Sequence, residues 1–154
     1  MNWWAATFVL ALQLLFICWV DFTKMIIPNQ LNLSLLITGL IVRLVLFNEA
    51  PLSILIKPIA VYCVFRTVAK LYAKLRGHQG LGRGDVKFLA AASVWIDSAL
   101  LPLLVLIASL SGLAYVLTVG GTQRGILDRT RFPFGPHLAL GLLITWVLSH
   151  YWEI

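Results

Sequence analysis

The chain has 154 residues, 60% of them hydrophobic and 12% charged, with a mean hydropathy of +0.92. Soluble domains carry about 25% charged residues, so this composition excludes a soluble globular enzyme and points to a single integral membrane unit over residues 1–154. The net charge of +6 does not indicate nucleic acid, because the basic residues sit at the ends of apolar runs, where membrane topology accounts for them.

The first apolar run, Trp4–Val20, follows a start with no basic region and no clear small-residue cleavage site, so it reads as an uncleaved span. It ends at Asp21. The second, Gln30–Phe47, is opened by Pro28, and the third is Leu52–Leu71. The fourth, Val86–Ile96, is short. At 1.5 Å per residue it covers only about 16 Å of a hydrocarbon layer about 30 Å thick. It is expected to be a short helix reached through a water-filled cavity, or a re-entrant segment. Leu100–Val119 and Pro136–Trp152 complete the set.

Charge placement orients these segments. With six crossings and the N-terminus outside, the cytoplasmic side holds Lys24, Lys70, Lys74, Arg76, Arg83, Lys87, Arg124, Arg129 and Arg131, nine of the twelve basic residues. Glu49, Asp97 and Glu153 fall opposite, with Arg43 and Lys57 near helix ends. This satisfies the positive-inside rule. The expected fold is therefore an all-α membrane protein of about six transmembrane helices, with both termini extracytoplasmic and a short fourth helix. Trp3, Trp4, Trp146 and Trp152 are expected to form an outer aromatic belt. Cys18 and Cys63 lie inside apolar runs and form no CxxC pair, so they read as core residues, with no metal site.

Three features of unusual backbone chemistry fall on the cytoplasmic side of this topology. They are Asp21 with Pro28, the run Gly80-Leu81-Gly82-Arg83-Gly84-Asp85, and the turn Pro133-Phe134-Gly135-Pro136 before the last span. A carboxylate at a membrane boundary is costly to desolvate and calls for a reason. Taken singly, each Asp reads as a helix cap and each glycine cluster as a turn. Taken together at one depth, Asp21 and Asp85 suggest the carboxylate pair of an aspartic protease. A helix N-terminus at Asp85 favours its anion and a helix C-terminus at Asp21 disfavours one, an asymmetry that suits a pair in which one member is ionised and the other holds the proton. Gly82 and Gly84 leave room for an extended substrate strand, or supply a positive φ beside Asp85. Two other classes remain open on pattern alone: a small proton-coupled carrier, and a non-enzymatic membrane subunit of a pilus or secretion assembly.

The three segments together resemble the prepilin leader peptidases, membrane aspartic proteases that process type IV pilins and pseudopilins. The match is carried by Asp21 with Pro28 seven residues on, by Gly82-Arg83-Gly84-Asp85-Val86-Lys87, and by Pro133-Phe134-Gly135-Pro136. The resemblance implies catalytic roles for Asp21 and Asp85, with Gly82, Gly84, Pro28, Gly135 and Pro136 shaping the site. It implies a prepilin or pseudopilin substrate whose short basic leader is cut at the cytoplasmic face of the bacterial inner membrane, with no cofactor. Larger relatives carry an insertion with paired CxxC motifs and also methylate the new N-terminus. This sequence resembles the short, peptidase-only branch, without a methyltransferase or zinc-binding domain. Arg66, Lys70 and Lys74 share one helical stripe and read as snorkelling cations, with Arg66, Lys70 and Lys87 as candidate substrate or lipid contacts. His137 follows the late turn and is placed to approach the site.

Overall fold

The computed structural model describes residues 3–46, 50–78, 80–120 and 132–151. Among these residues there is no strand, and six helices follow one another: α1 Trp3–Lys24, α2 Asn29–Leu46, α3 Pro51–Arg76, α4 Arg83–Ala92, α5 Leu101–Gly120 and α6 Gly135–Tyr151. The basic segment Arg124–Arg131, on which the charge argument leans, lies outside the described residues, as do Glu49, Trp152 and Glu153.

α1, α3 and the stretch Ser98–Thr118 are long and apolar enough to cross a bilayer, and α2 is a shorter apolar helix. Their outward faces carry large apolar side chains open to the surroundings, such as Phe8, Leu15, Leu52 and Leu117. A soluble protein does not display such faces on every long helix. This is a membrane protein.

The helical period decides where Asp21 points. Ala6, Leu10, Leu14, Ile17 and Val20 form the buried stripe of α1, and Asp21 extends it by one position. That stripe packs against α6 and α2. α4 is buried at Val86 and from Phe88 through Ala92, because α2, α3 and α6 pack around it. A short helix packed by three neighbours needs apolar residues on most of its faces, which the Phe88-Leu89-Ala90-Ala91-Ala92 run supplies.

The fourth segment is indeed short, and the structure shows how its shortfall is met. α4 stops at Ala92 and the chain continues through a turn to Asp97. Carbonyls left without helical partners are costly in an apolar setting. Arg43, buried at the far end of α2, donates from Nε to the Val94 carbonyl at 2.9 Å and from Nη2 to the Trp95 carbonyl at 3.3 Å, and pairs with Asp97 at 3.4 Å. Lys57 of α3 donates to the Ile96 carbonyl at 2.6 Å. Two residues read as cations near helix ends therefore cap the broken segment.

The aromatic-belt reading does not hold for Trp146. It is fully buried, donates from Nε1 to Thr7 Oγ1 at 2.9 Å, and meets buried Trp95 edge-on with ring centroids 5.4 Å apart. Trp95 in turn donates to the Leu35 carbonyl at 2.9 Å. The indoles serve as core residues because the protein offers their N–H groups partners inside the bundle.

Candidate active site

Asp21 and Asp85 come from the last turn of α1 and the first turn of α4, and both line one open cavity of about 1070 Å³ at the same end of the bundle. Gly82, Gly84, Lys87 and Phe134 line it too, so the three sequence features converge as their common depth suggested. Pro28 does not line the cavity. It starts α2, its carbonyl accepting from the N–H groups of Leu31 and Asn32.

Each carboxylate is held by a glycine amide. Asp21 is almost fully buried, and its Oδ2 accepts the Gly135 N–H at 2.8 Å. Gly135 is the first residue of α6, so this N–H has no partner within the helix. Asp85 reaches back so that its Oδ2 accepts the Gly82 N–H at 3.2 Å. Gly82 is the N-cap of α4, and having no side chain it can offer only its backbone to this capping arrangement.

The expected asymmetry of helix dipoles is therefore absent. Asp21 ends its own helix, but its carboxylate is turned onto the N-terminus of another. Both carboxylates sit at a helix N-terminus, α6 for Asp21 and α4 for Asp85.

The glycines divide by what a side chain would meet. A Cβ on Gly135 would lie 2.7 Å from Asp21 Oδ2, 3.0 Å from its Cγ and 3.1 Å from its Cβ. A Cβ on Gly82 would lie 2.8 Å from Asp85 Oδ2, the tip of a side chain that can swing away. A Cβ on Gly84 would make ordinary contacts of 3.4–3.6 Å with Ile27. Gly84 also has no positive φ, which among the described glycines belongs to Gly77 alone. Gly84 lets α4 pack on the α1–α2 connection; the glycines closest to the carboxylates are Gly82 and Gly135.

Lys87 donates to Asn29 Oδ1 at 2.6 Å at the cavity edge. Arg66 and Lys70, on α3, lie outside the lining of this cavity. His137 is also absent from the lining: its Nδ1 is 3.1 Å from Ser111 Oγ, and its ring sits among Tyr115, Phe132 and Phe134. Three contributors escaped sequence reasoning. Asn29 and buried Asn32 stand one helical turn apart beyond Pro28, and Asn32 Nδ2 donates to the Gly84 carbonyl at 3.3 Å, fastening α2 to the Asp85 turn. Their signal was available, since an amide inside an apolar helix needs a partner. Met25 lines the cavity with φ +54°, a left-handed conformation that ends α1 beside Asp21 and is rare for a residue with a side chain.

The sequence profile of the type IV leader peptidase family matches residues 8–117, a stretch that contains both aspartates. The chain belongs to this family. A prepilin leader peptidase/N-methyltransferase of Burkholderia pseudomallei is 39% identical over 140 residues, covering 88% of this chain and 44% of that protein. The protein of the same description from Escherichia coli K12 is 36% identical over 129 residues, covering 81% and 55%. That of Pectobacterium carotovorum is 33% identical over 157 residues, covering 98% and 53%. The chain thus spans about half the length of these leader peptidases. No solved structure matches it significantly. Gly135, whose N–H holds Asp21, lies beyond the stretch matched by the family profile.

Proposed function

We propose that this chain is an aspartic endopeptidase that removes the basic leader of a type IV prepilin or pseudopilin, with Asp21 and Asp85 as the catalytic pair. The observation that carries this reading is the meeting of two carboxylates in one open cavity, each fixed by a glycine N–H. Two carboxyl groups so placed resist double ionisation and hold one proton between them. Their Oδ2 atoms are engaged by amide donors, leaving the Oδ1 atoms for that proton and for water. The ionised member takes a proton from water as the water oxygen attacks the scissile carbonyl carbon. The protonated member gives its proton to the carbonyl oxygen. Collapse of the tetrahedral intermediate breaks the C–N bond, with a proton delivered to the departing amine. The proton belongs to the pair, and its site changes during turnover.

Gly82 and Gly135 act as positioning residues, Gly84 and Pro28 set the helix junctions around the pair, and Pro136 opens α6 behind Gly135. The membrane arrangement follows the charge distribution: six crossings, both termini extracytoplasmic, and the cavity facing the cytoplasm of a bacterial inner membrane. Residues 1–154 act as one peptidase unit. The decisive experiment reconstitutes the purified protein with a substrate bearing a short basic leader before an apolar helix. The expected product is the helix-bearing fragment with a new N-terminus, identified by mass spectrometry. An intact substrate would refute the reading. Reporter fusions at Arg76 and at the C-terminus test sidedness and should read cytoplasmic and extracytoplasmic.

A further inference from the structure

A second cavity, about 560 Å³ and almost wholly apolar, lies between α2 and α3. Leu33 and Leu36 of α2 form one wall, Ile59 and Tyr62 of α3 the other, and Ala90 and Ala91 of α4 the floor. α2 and α3 barely touch each other, so α4 shows between them along the groove. From Asn29 to Leu40, both in its lining, the groove follows α2 for about 16 Å. Asn29 and Lys87 line this groove and the aspartate cavity alike, so one opens into the other.

The geometry points to this groove as the seat of the substrate's apolar helix, with its N-terminal end at Asn29 and Asn32 and the chain continuing from there into the aspartate cavity. The inference rests on the peptidase reading above and adds where the uncut part of the substrate lies. Three observations select a helix over a lipid chain. The alanine floor lets a helix backbone approach closely, and small residues of this kind line helix contacts in membranes. Asn32 lines the groove and is 5% exposed, yet its Oδ1 has no hydrogen-bond partner among the described residues. An acyl chain has no donor for that atom, whereas the first turn of a helix carries four N–H groups without partners inside the helix. Finally, a helix entering at this end presents its N-terminus, the end at which a leader would be attached, to the cavity that holds Asp21 and Asp85.

The test places a photoreactive benzoylphenylalanine at Leu33 or Ile59 in the groove, or at Leu12 or Leu106 on other exposed faces, in the full chain carrying Asp85→Asn. The probe is a substrate with a basic leader joined to an apolar helix of about 20 residues. Both are reconstituted in phosphatidylethanolamine–phosphatidylglycerol vesicles. The groove positions should crosslink to the N-terminal half of the substrate helix and the control positions to lipid. Lipid adducts alone at both groove positions would overturn the inference, as would capture of the substrate helix at the control positions. In the otherwise unchanged chain, Leu33→Trp and Ile59→Trp enlarge exposed groove residues without entering the core. They should raise KM for this substrate by about tenfold, the scale of one membrane helix contact, and leave kcat unchanged. Unchanged KM in both variants, beside a parent that cleaves, would remove the groove and keep the peptidase. A parent that fails to cleave would remove the peptidase reading, and crosslinking would still report on the groove.

Discussion

Gly135→Ala is the most informative single change in this protein. The added methyl group falls 2.7–3.1 Å from three atoms of the Asp21 side chain, Oδ2, Cγ and Cβ. Rotation of the carboxylate cannot relieve the contact, because Asp21 Cβ is tied to the α1 backbone. Asp21 must retreat and surrender the 2.8 Å bond from the Gly135 N–H. A hydrogen bond to a charged group contributes about 1.5–3 kcal/mol, so its loss in the transition state lowers kcat by roughly ten- to a hundred-fold. Thermal unfolding should change little by comparison, since alanine is compatible with the first turn of a helix. The assay is cleavage of a leader-bearing substrate by purified variant and parent in detergent, beside their melting curves. Parental kcat in a folded Gly135→Ala protein would refute the reasoning, as would a loss of activity matched by loss of folded protein.

The remaining glycines should rank by what their side chains would touch. Gly82→Ala should reduce kcat several-fold, because only the tip of Asp85 must move, and Gly84→Ala should stay close to the parent; the reverse order in the same assay would reject the packing argument. Arg43→Leu leaves the Val94 and Trp95 carbonyls without the guanidinium; it should lower Tm by roughly 5–10 °C, measured by differential scanning fluorimetry, while the aspartate cavity at the other end of the bundle keeps its activity.

Much of this architecture was legible because a membrane imposes simple rules on length and polarity. Each apolar run became a helix within a few residues of its expected bounds, and the short Val86–Ile96 run became α4 with a broken end. Asp21 continues the stripe of Ala6, Leu10, Leu14 and Ile17, so its burial could be read from spacing. Its partner could not. The bond from Gly135 depends on how α1 and α6 lie against each other across 114 residues of sequence, and no local pattern encodes that. The same gap hides the dipole that Asp21 meets, since it belongs to α6 and not to the helix that carries Asp21. Trp146 departs from the belt for a related reason: indoles favour membrane interfaces, and this one finds a buried hydrogen-bond partner in Thr7 instead.

The proposed chemistry requires Asp21 and Asp85 to act as one catalytic unit on a leader-bearing substrate. It is tested most directly by comparing the parent with Asp21→Asn, Asp85→Asn and the double variant in membranes containing equal amounts of each protein, reading substrate shortening by mass. Asn keeps the shape of the side chain but cannot exchange a proton. Complete leader removal is expected from the parent and none from either single variant, with the double variant no worse than the singles because the pair fails together. Substantial cleavage by a folded single variant would contradict it.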